Sequence, residues 1–148
     1  MQRSKADWKA LRELIGISTG SLAALLHKNI ATIQYWENPN DSAVRYHPSD
    51  HAWEVLEDLR AKQINTVNKI VNLHVDKMNE AEARQRSDQN IPVAKLTYYR
   101  NRARYYGNKP EYGDIGILNA TMRQAAMKLG EKGIPVEFEY DDETESEK

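Results

Sequence analysis

GISTGSLAALLHKNIATIQYWENP (Gly16–Pro39) reads as two short helices joined by a tight turn. Ser18 is a good helix-capping residue, and Leu22, Ala23, Leu25 and Leu26 follow it at helical spacing. Asn29 can cap the next helix, which carries Ile33 and Trp36 on its inner face. Pro39, Asn40 and Asp41 then break the chain. Two helices that cross closely need a small residue at the contact, and Ala23 supplies it. They also need apolar anchors into a core, and Leu22, Leu26, Ile33 and Trp36 supply those. This is the pattern of a helix-turn-helix, whose second helix offers its outer face to base edges in the major groove of DNA.

The flanking sequence extends the helical reading in both directions. Ser4 with Asp7 resembles a capping box, and Trp8, Leu11, Leu14 and Ile15 recur at helical spacing until Gly16 ends the helix. After Pro48 and Ser49, helix formers continue to about Arg84, with Trp53, Leu56, Leu59, Ile64, Val67, Ile70, Val71, Val75 and Met78 as the apolar positions. One helix of roughly 35 residues would be about 50 Å long. It must therefore either bend near Gln63–Thr66 or bury its far half against a second domain or a partner. RQRSDQNI (residues 84–91) reads as linker and PVAKLTYY as a strand with Ala94, Leu96 and Tyr98 on one face. Asn101–Tyr106 is compatible with a short helix and Gly107–Pro110 with a loop. A further helix is expected from Asp114 or Asn119 to Leu129, stopped by Gly130–Gly133. PVEFEY closes the pattern as a second strand, with Lys95 facing Glu137 or Glu139 across the pair.

The expected fold is mostly α: an N-terminal helix-turn-helix helical domain, a long connecting helix, and a small C-terminal α+β unit with a two-stranded β element. The expected boundaries are residues 1–62 for the DNA-binding domain, 63–90 for the connecting helix and linker, 91–140 for the C-terminal dimerisation unit and 141–148 for a solvated acidic tail.

Composition narrows the function classes. The chain has 148 residues and no cysteine, which excludes disulfides and thiolate metal sites and fits a reducing cytoplasm. The start, MQRSKADWKA, is charged and unlike a signal peptide, and no stretch approaches the roughly 18 apolar residues of a membrane span. The net charge of −1 hides a basic middle, with seven Lys/Arg against one Asp/Glu in residues 84–110, and an acidic end, with four against ten in residues 111–148. His47 and His51 have metal-ligand spacing, but Pro48 lies between them and no third ligand is near. There is no nucleophile–base constellation, P-loop or dinucleotide glycine signature. No metal, cofactor or catalytic residue is expected.

Leu11-Arg12, Gly16-Ile17-Ser18, Leu22-Ala23, Leu26, Ile33 and Trp36-Glu37-Asn38 together resemble the Cro/C1-type (XRE) helix-turn-helix family without a gap. The resemblance implies that Arg12 pairs with Glu37. It also sets out two departures: His27 stands at the usual turn glycine, and Pro39 replaces the glycine after Trp-Glu-Asn. Thr19 stands at a position where the family carries a phosphate-contacting Gln. The order of QYWEN, a proline-started long helix, LTYY and IGILNATMRQAA is similar to the YdiL-like family, which includes the anti-CRISPR-associated autoregulators. That resemblance implies a homodimeric repressor whose C-terminal unit dimerises.

On the outer face, Gln34 can pair with adenine, Thr32 can offer its hydroxyl or methyl, Ile30 and Ala31 can meet thymine methyls, and Tyr35 can reach a base or a phosphate. Ser18, Thr19, Lys28, Asn29 and Asn38 are the expected phosphate contacts. The partner is expected to be double-stranded DNA, bound by a homodimer across an inverted repeat with half-sites roughly 34 Å apart. Two other readings are open: an antitoxin-like module with a protein partner, and an RNA-binding regulator using the Tyr98–Tyr106 segment.

Overall fold

The computed structural model describes residues 3–40, 46–84, 92–100 and 114–141. The expected short helix at 101–106, the loop at 107–110, most of the linker and all but the first residue of the acidic tail lie outside these. The described chain is mostly helical, with one small two-stranded parallel sheet near its C-terminal end. It divides into two compact units, residues 1–63 and 64–148.

The first unit contains α1 (Lys5–Ile15), α2 (Thr19–Leu26), α3 (Ile30–Glu37) and the start of α4 (Asp50–Ala83). The capping box of α1 is present in both directions. Ser4 Oγ accepts from the Asp7 amide, and the Asp7 carboxylate accepts from the Ser4 amide. Those bonds hold the Asp7 carboxyl below the ordinary aspartate range. Gly16 closes α1 at φ 91°, a left-handed conformation that glycine adopts without a Cβ clash. The core is built around Trp8, which is fully buried and meets Trp36 and Trp53 edge to face at 5.4 and 5.2 Å between ring centroids. Ile15, Ile17, Leu22, Ala23, Ile33, Ala52 and Leu56 are buried with it. Arg3 lies over the Trp53 ring at 4.5 Å and pairs with Glu57. A polar residue, Gln63, is also buried. Its Nε2 donates to the Ile15 carbonyl at 3.0 Å, satisfying one of the carbonyls that the end of α1 leaves open.

α4 is one continuous helix of 34 residues. Its far half does not need a break, because a second core covers its apolar stripe. Val67 and Val71 are buried with Ala94, Leu96, Ala125, Leu129 and Ile134, and Ile70, Val75 and Met78 pack at the margin. The rest of the second unit is β1 (Ala94–Tyr98), α5 (Ile115–Glu131) and β2 (Val136–Tyr140). The strands run parallel, with Ala94 opposite Val136, Leu96 opposite Phe138 and Tyr98 opposite Tyr140. Asp114 caps α5 through the Gly116 amide. The Asn119 side chain clips α5 to the end of β1, accepting from the Tyr99 amide at 2.7 Å and donating to the Tyr99 carbonyl at 2.8 Å. Burial pushes the Tyr99 hydroxyl pKa up, and the Asp141 charge adds to the rise. Lys95 has Glu137 as its register partner but pairs with Glu139 at 3.4 Å, an exposed contact of small energetic weight.

The alternation in PVEFEY has a different outcome from that in PVAKLTYY. Ala94 and Leu96 are buried, whereas Phe138 and Tyr140, their neighbours on the same face, are 44% and 40% exposed. Trp36→Ala is expected to destabilise the protein by about 3–5 kcal/mol, the cost of deleting a buried indole. Urea unfolding monitored by circular dichroism checks this, and an unchanged midpoint would contradict the tryptophan-centred core.

Candidate nucleic-acid interface

α3 has only eight residues, and helices that short are not stable alone in water. α1 holds it at three places. Trp36 packs against Trp8. Glu37 receives a two-pronged contact from Arg12, whose Nε and Nη2 donate to its two carboxylate oxygens at 2.5 and 2.8 Å. Arg12 Nη1 also donates to the Ile17 carbonyl at 3.0 Å. The pair is largely buried, with 13% of the Arg12 side chain and 8% of the Glu37 side chain exposed. Lys5 completes the set: its buried ammonium donates to the carbonyls of Tyr35 and Asn38 at 2.9 and 3.0 Å, where α3 ends. A cation at that end also suits the helix dipole.

This anchoring turns one side of α3 outward. At 3.6 residues per turn, Ile30, Gln34, Ala31 and Tyr35 fall in that order along an arc of about 140°. All four are exposed, Ile30 and Tyr35 each by 47%. Ile33 and Trp36 fill the opposite side and are buried. The structure therefore brings four of the five expected base-facing residues onto one open strip. Thr32, the fifth, lies beyond Tyr35 on the wheel and is half-buried. Tyr35 leans on Tyr46, with 5.0 Å between ring centroids. Ile30 lies over α2 at Gly20, where a Cβ would stand 3.8 Å from Ile30 Cδ1.

The expected phosphate contacts are more dispersed. Lys28 and Asn29 sit together and exposed at the start of α3. Asn29 caps α3 by position only, since its side chain makes no capping bond. Ser18 is spent on the start of α2, where Oγ accepts from the Ser21 amide, and Thr19 beside it is half-buried. Asn38 is at the other end of α3, about 13–14 Å from Asn29 along the helix axis. Its Oδ1 accepts from the Asn40 amide. Of the scaffold residues, Leu22, Ala23, Ile33 and Trp36 are buried, and Leu26 is partly so.

The turn at His27 accommodates its Cβ in a left-handed conformation, φ 56° and ψ 42°. The Lys28 amide donates to the Ala23 carbonyl at 2.9 Å and the His27 amide to the Ala24 carbonyl at 3.3 Å. This is the Schellman arrangement. α5 ends in the same way, with the Ile134 amide on Leu129 and the Gly133 amide on Gly130, and there the left-handed residue is Gly133.

Charge around the strip is sparse. Residues 1–63 carry eight Lys/Arg and eight Asp/Glu. Among the described cations, Arg3, Lys9, Arg12 and Lys62 pair with carboxylates, Lys5 is spent on carbonyls, and Arg60 donates to Gln63. Lys28 makes no ion pair among the described residues.

Among the described residues no cluster of His, Asp and Glu could hold a metal, and no helix is long and apolar enough to cross a membrane. A cavity of about 220 Å³ beside His74 and Lys77 is smaller than the roughly 300–1,000 Å³ of ordinary ligand sites. Burial, with Lys77 nearby, lowers the His74 pKa. No protein-family model matches the chain, and no curated protein matches it closely enough to carry an argument.

His27→Gly is expected to raise stability by about 0.5–1 kcal/mol. Relief of the left-handed strain outweighs the added freedom of the unfolded chain. A thermal melt checks the sign, and a lower melting temperature would mean that the imidazole contributes more than its backbone conformation costs.

Proposed function

We propose that this protein is a sequence-specific DNA-binding transcriptional regulator, a homodimeric repressor that reads an inverted repeat. The observation that carries the reading is the open strip Ile30, Gln34, Ala31 and Tyr35 on a short helix whose other side is locked to α1. A surface strip of apolar and amide groups is poor material for catalysis. It suits base edges in a major groove, which admits one helix. Lys28 and Asn29 are placed to meet the backbone beside the groove. The same reading makes the protein cytoplasmic, with neither a cofactor nor a metal in its mechanism. Repression is steric: two copies of α3 occupy successive major grooves and exclude other proteins from the promoter.

Dimerisation is part of the proposal because one copy has few charges to offer phosphates. Linking two reading helices multiplies their effective affinity. The second unit supports this with Phe138 and Tyr140, which are 44% and 40% exposed. Arg100 lies over the Tyr140 ring at 4.1 Å, and Arg123 donates to the Tyr98 hydroxyl at 2.6 Å. Aromatic and arginine side chains are the residues enriched at interfaces.

Gln34→Ala is expected to weaken binding to the cognate site by about 1–3 kcal/mol and binding to unrelated DNA very little. Equal losses on both in a gel-shift titration would remove Gln34 as a base reader. The double variant Phe138→Ala, Tyr140→Ala should stay folded and move toward monomer in sedimentation velocity. A dimer as tight as that of the unaltered protein would place the interface elsewhere.

A further inference from the structure

We propose that the half-site read by α3 is rich in A·T pairs and is recognised largely through thymine methyl groups. This rests on the DNA-binding reading above and specifies its chemistry. Two of the four residues on the open arc, Ile30 and Ala31, offer only carbon to a base edge. Ile30 stands first on the arc, with Gln34 next to it and Ala31 beyond. In the major groove the one apolar base feature is the C5-methyl of thymine, and the feature that an amide matches with two hydrogen bonds is the N6–N7 pair of adenine. Gln34 Nε2 donates to N7 while its Oε1 accepts from the N6 amino group. Ile30 and Ala31 cover methyls on neighbouring thymines.

The commonest route to guanine is closed among the described residues of this unit. That route needs an arginine or a lysine on the reading face. Arg12 is committed to Glu37 and the Ile17 carbonyl, Arg3 to Glu57 and the Trp53 ring, and Arg60 to Gln63. Lys28 precedes the helix rather than standing on its outward arc. With little charge at the face, covering a methyl is also an effective source of discrimination, since it needs no desolvated ion.

The test starts from the full-length protein and a library of random-sequence duplexes. Selected half-sites should be rich in A·T pairs. In a selected duplex, each thymine is then replaced by deoxyuridine, which removes the 5-methyl and keeps the pairing. Fluorescence anisotropy should show a loss of about three- to fivefold at one or two positions per half-site. That factor corresponds to one buried methyl, about 0.8 kcal/mol. Ile30→Ala, an exposed change whose fold is checked by its melt, should make the protein indifferent to at least one of those methyls. Selected sites with G·C pairs at the contacted positions, or equal binding to the fully deoxyuridine duplex, would overturn the inference and leave the DNA-binding reading standing. A library that yields no enriched sequence would remove both.

Discussion

An eight-residue helix has to be held by something other than its own hydrogen bonds, and α1 is what holds α3. The bidentate Arg12–Glu37 pair, the edge-to-face Trp8–Trp36 contact and the Lys5 ammonium act on the same short element from one neighbour. They differ in physical kind. The tryptophans supply apolar burial. The ion pair fixes rotation about the helix axis, because a forked contact tolerates little angular error. Lys5 donates to the Tyr35 and Asn38 carbonyls at the helix end, where intrahelical donors run out. Losing Arg12 would leave the carboxylate of Glu37 nearly buried and unpaired, a situation far costlier than the pair itself is favourable.

That solution has a consequence for charge. Arg12 and Lys5, the cations that hold α3, are drawn inward, and the outward side of α3 is left with mostly apolar and amide groups. Under the proposed function, affinity then comes from base contacts and from pairing two copies, with a smaller share from phosphates than in strongly basic DNA-binding proteins. The second unit is built for a different task. It covers the far half of α4 with a parallel β–α–β arrangement and leaves Phe138 and Tyr140 open.

What was legible in the sequence follows from which interactions are local. The caps at Ser4 and Ser18 and the left-handed Gly16 involve neighbours a few positions away, so those helix ends could be read directly, whereas the start of α5 stayed open between Asp114 and Asn119 and the turn at His27 came from the family resemblance. Arg12–Glu37 spans 25 residues and was reached through a family resemblance. Lys5 and Gln63 were not legible. Each looks like a solvated residue on a helix, and each is buried because it serves a carbonyl 30 or more positions away. Similarly, periodicity placed Phe138 and Tyr140 on one face with Val136, but could not say that the apolar cover stops short of them. In the candidate site, side-chain chemistry selected the candidate base-facing residues, and Thr32 is half-buried because it sits where the arc turns toward the core.

The most direct test of the central claim is amide chemical-shift mapping of the 15N-labelled full-length protein as a selected duplex is added. The account predicts that the largest changes fall on residues 28–35, at the start of α3 and along its outward strip, with smaller changes near Ser18 and Thr19. Changes confined to the second unit, or none on α3 in a complex that forms, would contradict it.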